Sequence, residues 1–214
     1  LAINTLGGSP SSAPAAPDDE ERAHDSDRRA LWMEEDEISP GRPLRVMIAG
    51  GGIGGLCAAL VLKNQGFDGK VFEKAREYRP FGGPIQIATN ALESFRRIDS
   101  DVYAQIVASS TKIGDRVNGL KDGISNEWFA TFDLDSPAKA RNAEASVVID
   151  RPVLQEILLS KVGDCVTVGV EVVGYEQKAN SKGVVGMLAN GERCEADMIV
   201  GSDGISNEWF ATFD

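Results

Sequence analysis

Histidine and cysteine are scarce in this sequence of 214 residues. The one histidine, His24, lies in a polar stretch near the start, which disfavours a Ser-His-Asp triad, a histidine-rich metal site and a zinc deaminase. The three cysteines, Cys57, Cys165 and Cys194, form no CxxC pair and no even-numbered disulfide framework. This cysteine pattern favours a reducing compartment.

A long apolar run and an excess of positive charge are also missing. The uncharged run at residues 46–62 has 17 residues of which five are glycine, whereas a membrane span needs about 20 mostly apolar residues. Lys and Arg number 22 against 33 Asp and Glu, so the net charge is -11 and contacts with nucleic-acid phosphates are disfavoured. We therefore expect no transmembrane segment and no nucleic-acid partner.

Residues 1–43 are predicted to be a disordered acidic leader. Residues 1–40 hold 10 acidic and 3 basic side chains, and few apolar ones to offset the entropy lost on ordering. Only residues 1–17 are Ser-rich and free of acids, as the remnant of a chloroplast transit peptide would be. An acidic linker without a targeting role is the alternative. The absence of an initiator Met suggests a processed or partial chain.

From Leu44 onward the pattern predicts an α/β fold that opens with a βαβ unit. Residues 44–49 are a short apolar run typical of a buried strand, residues 54–65 have helical apolar spacing and end before Gly66, and residues 70–73 are typical of a second strand. Further strands are predicted at 84–88, 147–150, 166–175, 184–188 and 198–200, and further helices at 90–98, 101–108 and from Pro152 onward. Asn190-Gly191 is a hairpin turn signal.

The turn of this unit has the pattern of a dinucleotide-binding site. Gly50, Gly52 and Gly55 form G-x-G-x-x-G after the first strand and at the start of the helix. In such turns the first glycine permits the bend, the second lets backbone approach a pyrophosphate, and the third lets helix and strand pack closely. Glu73, 18 residues after Gly55, stands where a ribose-binding acid is expected and favours FAD or NAD over a 2'-phosphate. A glycine-rich packing turn is the alternative.

Six segments of the chain resemble one protein family. They are RVMIAGGGIGGLCAALVLKNQGF (45–67), VFEK (71–74), GPIQIATNAL (83–92), GDRVNGLKDGIS (114–125), IDRPVLQEIL (149–158) and ADMIVGSDGI (196–205). The chain resembles the flavin-dependent aromatic-type monooxygenases, and among them most closely the zeaxanthin epoxidases of plants and algae. Many dinucleotide folds share the first segment, whereas GPIQI and GDRVNGL look specific to the epoxidases. Residues 75–82 are shorter than the corresponding family loop.

The resemblance implies a set of cofactor-binding residues for FAD. They are Gly50, Gly52, Gly55, Glu73, Lys74, Arg151, Asp203 and Gly204. Arg151 opens the R-x-x-L helix and would reach the phosphate or ribose region, which suits a permanently charged donor; a solvated arginine at a helix start is the alternative. Asp203 and Gly204 match an Asp-Gly motif that contacts FAD and the nicotinamide cofactor in the family, with a simple turn pair as the alternative. No catalytic side chain and no metal are implied.

The implied fold is Rossmann-like and binds FAD or NAD(P), with a parallel sheet and additional β-rich segments over residues 44–205. It is expected to be incomplete at the C-terminus, because the later Gly-Asp motif and the rest of the substrate domain are missing. The resemblance further implies a carotenoid substrate in the full-length form, a reduced nicotinamide or ferredoxin-linked electron donor, a chloroplast location and peripheral membrane association. The alternatives are a non-catalytic or poorly folded nucleotide-binding fragment, another FAD-dependent hydroxylase, and an NAD-dependent reductase.

One segment occurs twice without a mismatch. DGISNEWFATFD stands at 122–133 and again at 203–214, and the flanking residues of the two copies are unrelated. Structural repeats recur at a fixed period and pack on their neighbours, which disfavours a solenoid here. A duplication or a splicing junction explains the identity better, and residues 206–214 are interpreted as a duplicated terminal segment.

Overall fold

The computed structural model describes residues 41–113, 116–179 and 183–204. Residues 1–40 of the predicted leader and the duplicated terminal segment 206–214 lie outside the described residues. The described part begins within the last residues of that leader, where Arg42 forms an ion pair of 2.8 Å with Asp197. In this part of the chain, no helix is both long and apolar enough to cross a membrane, and no acidic, histidine or cysteine side chains are grouped as a metal site.

The described residues form an α/β fold with twelve strands and five α-helices among them. The strands are β1 (Arg45–Ala49), β2 (Asp68–Glu73), β3 (Pro84–Ile87), β4 (Thr111–Lys112), β5 (Asn118–Lys121), β6 (Trp128–Phe132), β7 (Val147–Asp150), β8 (Val166–Val168), β9 (Val172–Gln177), β10 (Val184–Leu188), β11 (Arg193–Ala196) and β12 (Met198–Gly201). The helices are α1 (Ile53–Asn64), α2 (Thr89–Ile98), α3 (Ser100–Ala108), α4 (Ser136–Lys139) and α5 (Arg151–Val162), and a short 3-10 turn (Gly163–Cys165) follows α5.

A four-stranded parallel sheet is the centre of the fold. Its strand order is β12-β1-β2-β8, so the first predicted strand lies in the middle and the last one beside it. The helix α1 connects β1 to β2, as the βαβ pattern predicts. Parallel strands covered on both faces consist of continuous apolar runs, which explains why β1 is apolar from Val46 to Ala49.

The two faces of the parallel sheet are covered by different layers. Val46 and Ile48 on β1 point to the helices α1 and α5 and pack in the larger core cluster with Leu56 and Leu158. Met47 and Ala49 point to the opposite face, where they meet the antiparallel sheet of β11, β10 and β9. The alternation of side chains along one strand therefore joins two layers.

The predicted elements are confirmed, with most boundaries within one or two residues. The predicted strand 166–175 is the clearest difference, because Gly169 adopts φ +73° and divides it into β8 and β9, which join different sheets. The hairpin predicted at Asn190-Gly191 joins β10 and β11, with Gly191 at φ +88°. Gly66 has φ +79° directly after α1, as expected for a residue that ends a helix.

The first copy of the duplicated segment supplies the turn and the second strand of a hairpin that the sequence pattern did not predict. The strands β5 and β6 pair only with each other among the described strands, and every residue of β6 is exposed. Asp122 closes the turn by accepting hydrogen bonds from the backbone N–H groups of Ile124 and Ser125 at 2.9 and 2.6 Å. Phe129 is 71% exposed on this hairpin.

We expect Gly55→Ala to destabilise the fold strongly and Gly54→Ala to change it little. A Cβ atom at Gly55 would lie 1.9 Å from the carbonyl oxygen of Gly50, whereas one at Gly54 would meet only the hydroxyl of Ser202, at 3.1 Å. Backbone cannot rotate away as a hydroxyl can, so Gly55→Ala should cost about 1–3 kcal/mol of unfolding free energy. Urea unfolding followed by circular dichroism measures both variants. Equal midpoints would contradict the close approach of helix and strand.

Candidate nucleotide-binding site

A cleft opens at the carboxyl ends of the parallel strands. Its volume is about 430 Å³, and its walls come from the segments that follow β1, β2 and β12 and from the start of α5. Ligands of open α/β sheets bind at this edge. Seven of the eight predicted residues line this cleft: Gly50, Gly52, Glu73, Lys74, Arg151, Asp203 and Gly204.

The eighth predicted residue, Gly55, lies behind the cleft. It is buried in α1 at the close contact with the carbonyl of Gly50 described above. A second cleft, of about 420 Å³, adjoins the first and shares Gly52, Glu73 and Arg151 with it. These three residues therefore stand at the junction of the two clefts.

The three glycines of the turn have different surroundings. Gly50 adopts φ +103°, its N–H donates to the carbonyl of Phe72 at 2.8 Å, and a Cβ there would lie 2.4 Å from the carbonyl oxygen of Ser202. Gly52 has open space, since a Cβ at this position would meet no atom within 4 Å. The bend and the helix contact therefore require Gly50 and Gly55, while Gly52 leaves its backbone accessible from the cleft.

Glu73 links the end of β2 to the glycine turn. Its Oε2 accepts a hydrogen bond from the N–H of Gly51 at 2.8 Å, and its Oε1 accepts one from the N–H of Ala75 at 2.8 Å. An ionised carboxylate has about four acceptor positions, so two such bonds leave capacity for the hydroxyl groups of a ligand. The acid is thus fixed in the cleft wall with acceptor positions to spare.

Tyr78 is the site residue that sequence reasoning missed. It lies in the loop after β2, lines the second cleft, and donates a hydrogen bond from its hydroxyl to the carbonyl of Gly51 at 3.0 Å. Burial, followed by the negative charge of Glu73, raises the pKa of Tyr78 to about 12. No motif or spacing in the sequence marks this loop position, because the contact depends on how the loop folds back over the turn.

Arg151 and the Asp203-Gly204 pair also line the cleft. Arg151 is the first residue of α5, and its side chain remains exposed. The Oδ1 atom of Asp203 is buried and has no hydrogen-bond partner within the described residues. A buried acceptor of this kind costs free energy unless a ligand or solvent donor reaches it. This oxygen is therefore a candidate acceptor for such a donor.

The residues present fit a dinucleotide. The open backbone at Gly52 lies at the start of the twelve-residue helix α1, whose N-terminal N–H groups favour an anion. Arg151 adds a permanent positive charge, and the carboxylates of Glu73 and Asp203 add acceptors for hydroxyl or amine donors. A cleft of 430 Å³ is within the usual size range for small-molecule sites.

The cysteines do not add a reactive group to this site. Burial raises the pKa of Cys57 to about 11, and burial together with the charge of Asp164 raises the pKa of Cys165 to about 11. A thiol with such a pKa is almost entirely protonated at neutral pH and is a poor nucleophile. Cys194 is buried in the core beneath β1.

Comparison with solved structures places this fold among flavoproteins. The family model of the NAD(P)-binding Rossmann-like domain matches residues 48–95. The structure of Klebsiella pneumoniae HpxO complexed with FAD and uric acid aligns with a TM-score of 0.62 and 26% identity, over 75% of this chain and 39% of that chain. The tetrameric form of 2-methyl-3-hydroxypyridine-5-carboxylic acid oxygenase aligns with a TM-score of 0.60 and 26% identity, over 77% and 40% of the two chains.

Curated relatives have a higher sequence identity to this chain than these solved structures have. The chloroplastic zeaxanthin epoxidase of Spinacia oleracea is 43% identical over 171 residues, which are 78% of this chain and 25% of the relative. That of Arabidopsis thaliana is 45% identical over 159 residues, or 72% and 24%. Over these matched residues the chain is similar to the chloroplastic zeaxanthin epoxidases. It spans about a quarter of the length of these epoxidase relatives.

We expect one of the three tyrosines of this epoxidase-like chain to titrate near pH 12, and Glu73→Gln to lower that midpoint. Removing the carboxylate charge removes one cause of the raised pKa of Tyr78, but burial, the larger cause, remains, so the midpoint should stay above the ordinary value of 10.0. Tyrosinate absorbance after a rapid pH jump measures the titration before the chain unfolds.

The exposed Glu77→Gln is the matched control and should leave this midpoint in place. Because the pKa of Tyr78 is higher in the folded chain, its contribution to stability is complete below pH 10 and is lost as the pH rises through about 12. An unchanged midpoint in Glu73→Gln would show that the carboxylate does not face the phenol.

Proposed function

We propose that this chain binds FAD and is the adenosine- and pyrophosphate-binding part of a flavin-dependent monooxygenase of the zeaxanthin epoxidase type. One observation carries the proposal: Gly52, Glu73, Arg151 and Asp203 come from four distant segments and meet at one cleft at the carboxyl edge of the parallel sheet. The similarity to zeaxanthin epoxidase, and to HpxO in its complex with FAD at 26% identity, supports the same chemistry.

Different residues of the cleft would bind different parts of the nucleotide. The backbone at Gly52 and the start of α1 would face the pyrophosphate, and the guanidinium of Arg151 would pair with a phosphate oxygen. Glu73 would accept hydrogen bonds from the ribose hydroxyls, and the buried Oδ1 of Asp203 would gain the donor that it lacks. When bound and reduced, FAD supplies the oxygen-activating chemistry of such enzymes.

The proposal also covers the substrate, the location and the electron donor of the full-length enzyme. The relatives are named chloroplastic zeaxanthin epoxidases, and a carotenoid ring is accordingly the proposed substrate and the chloroplast the proposed location. A reduced nicotinamide or a ferredoxin-linked donor is the proposed source of electrons.

The first cleft and the second meet at Gly52, Glu73 and Arg151, so a bound dinucleotide would touch both.

A second candidate function is nucleotide binding without turnover. It is favoured by the lining of the two clefts, because the described residues there offer groups that suit phosphate and ribose. A flavin ring that reacts with oxygen productively needs a pocket that excludes water. Two results would favour this second candidate. In one, the chain oxidises reduced nicotinamide but forms no oxygenated product; in the other, it binds FAD but does not oxidise reduced nicotinamide.

We expect Gly52→Val to abolish FAD uptake without unfolding the chain. Gly52 has φ -68° and ψ -179°, which any residue can adopt, and its Cβ position is empty, but a valine there would stand in the cleft where backbone must approach the pyrophosphate. FAD fluorescence quenching should show at least a 100-fold loss of affinity, while the melting temperature stays near that of the parent chain.

Gly163→Val is the matched control for this experiment. Gly163 also has open space at its Cβ position and an ordinary φ of -59°, but it lies at the end of α5, outside both clefts. The control should bind FAD like the parent. If Gly52→Val bound FAD with unchanged affinity, the nucleotide would have to sit elsewhere.

We expect Arg151→Ala to weaken FAD binding about 10- to 100-fold, and Arg151→Lys to weaken it less. A hydrogen bond to a charged partner contributes about 1.5–3 kcal/mol, which corresponds to this range of affinity. Adenosine, which has no phosphate, should bind equally to parent and variant in an equilibrium dialysis assay. The control is Arg97→Ala, which changes an exposed arginine of α2 that lines neither cleft. An equal loss for adenosine and FAD would contradict a phosphate contact.

A further inference from the structure

The peptide groups at Gly51 are held from two sides. The N–H of Gly51 donates to Glu73 Oε2 at 2.8 Å, and its carbonyl accepts the hydroxyl proton of Tyr78 at 3.0 Å. Gly51 is buried, although it lies in the turn that forms the cleft wall. The end of β2 and the loop after it thus fix the middle of the glycine turn.

This arrangement explains why position 51 is a glycine, although the G-x-G-x-x-G pattern allows any residue there. Gly51 occupies a variable position of that pattern, yet a Cβ there would lie 2.2 Å from the Tyr78 hydroxyl oxygen and 2.9 Å from Glu73 Cβ. The two side chains fill the space that a side chain at position 51 would need. Gly51 is therefore required by its neighbours Tyr78 and Glu73 and not by the bend of the turn.

The hydrogen bond from Tyr78 also determines the direction in which the N–H of Gly52 points. The carbonyl of Gly51 and the N–H of Gly52 belong to one peptide group, which is planar and trans, so the two point in opposite directions. Fixing the carbonyl toward Tyr78 fixes the N–H of Gly52 on the opposite side. A hydrogen bond to the carbonyl also polarises the same peptide and strengthens its N–H as a donor.

We propose that Tyr78 is a positioning residue for the phosphates of the nucleotide, acting through the carbonyl of Gly51 on the N–H of Gly52. The proposal rests on the proposed function, because it takes the diphosphate to be the anion that the Gly52 backbone meets. Tyr78 does not touch the nucleotide in this role. It removes the freedom of one peptide group before the ligand binds, which lowers the cost of ordering the site.

The test compares Tyr78→Phe with the parent chain for two ligands, ADP and adenosine. The phenylalanine keeps the ring in the wall of the second cleft and removes only the hydroxyl. Loss of one uncharged hydrogen bond should raise the Kd for ADP about three- to tenfold. Adenosine has no phosphate, and its Kd should change less than twofold. Titrations followed by amide resonances measure both, and Tyr103→Phe on α3 is the matched control.

A readout without any ligand accompanies the titrations. The amide resonance of Gly52 should move in ligand-free Tyr78→Phe, and its hydrogen exchange should become faster, because the peptide group has lost its restraint. Neither should change in Tyr103→Phe. Circular dichroism and the melting temperature show whether both variants remain folded.

The outcomes separate this role from the proposed function. Equal weakening of ADP and adenosine in Tyr78→Phe would mean that the residue merely shapes the cleft, and unchanged binding of both would remove its role altogether. Either result overturns the positioning role while FAD binding stands. A parent chain that binds neither ADP nor FAD would overturn the proposed function, and the role of Tyr78 in phosphate binding with it.

Discussion

Contact of backbone with backbone at the turn between β1 and α1 is the constraint on which the rest of the structure depends. Gly55 places α1 against the carbonyl of Gly50, and Gly50 lies against the carbonyl of Ser202 after β12. Three segments thus meet without side chains between them. The helix start, the strand ends and the cleft are all positioned from this point, and the site has its shape because the chain has no bulk there.

The central strand β1 extends this constraint into the core. Its residues alternate between a helical layer and an antiparallel sheet, so one strand positions both layers relative to the cleft. Arg151, at the start of α5, and Val172, at the start of β9, reach the cleft from these two layers. A site built in this way depends on long-range packing as well as on its local motif, since residues more than a hundred positions apart must arrive together.

Much of this was predictable from the sequence. The βαβ unit, the acid at Glu73 and the helix beginning at Arg151 each follow from local periodicity and spacing, which is why their bounds agree with the structure. The division of residues 166–175 into two sheets depends on Gly169 and its φ of +73°, and the pairing of the strands is not local. The contact of Tyr78 with Gly51 could not be predicted, because it arises from loop conformation. The use of these residues for FAD stays a prediction.

The exposed hairpin of β5 and β6 has a consequence for how the chain behaves in concentrated solution. Five uncharged residues, among them Phe129, form an uncovered strand in a molecule whose net charge is -11. Mutual repulsion keeps such molecules apart in dilute buffer, but the range of that repulsion shrinks to about 8 Å at physiological ionic strength. Apolar attraction between uncovered strands is not screened in this way. Added salt should therefore reduce the solubility of this chain.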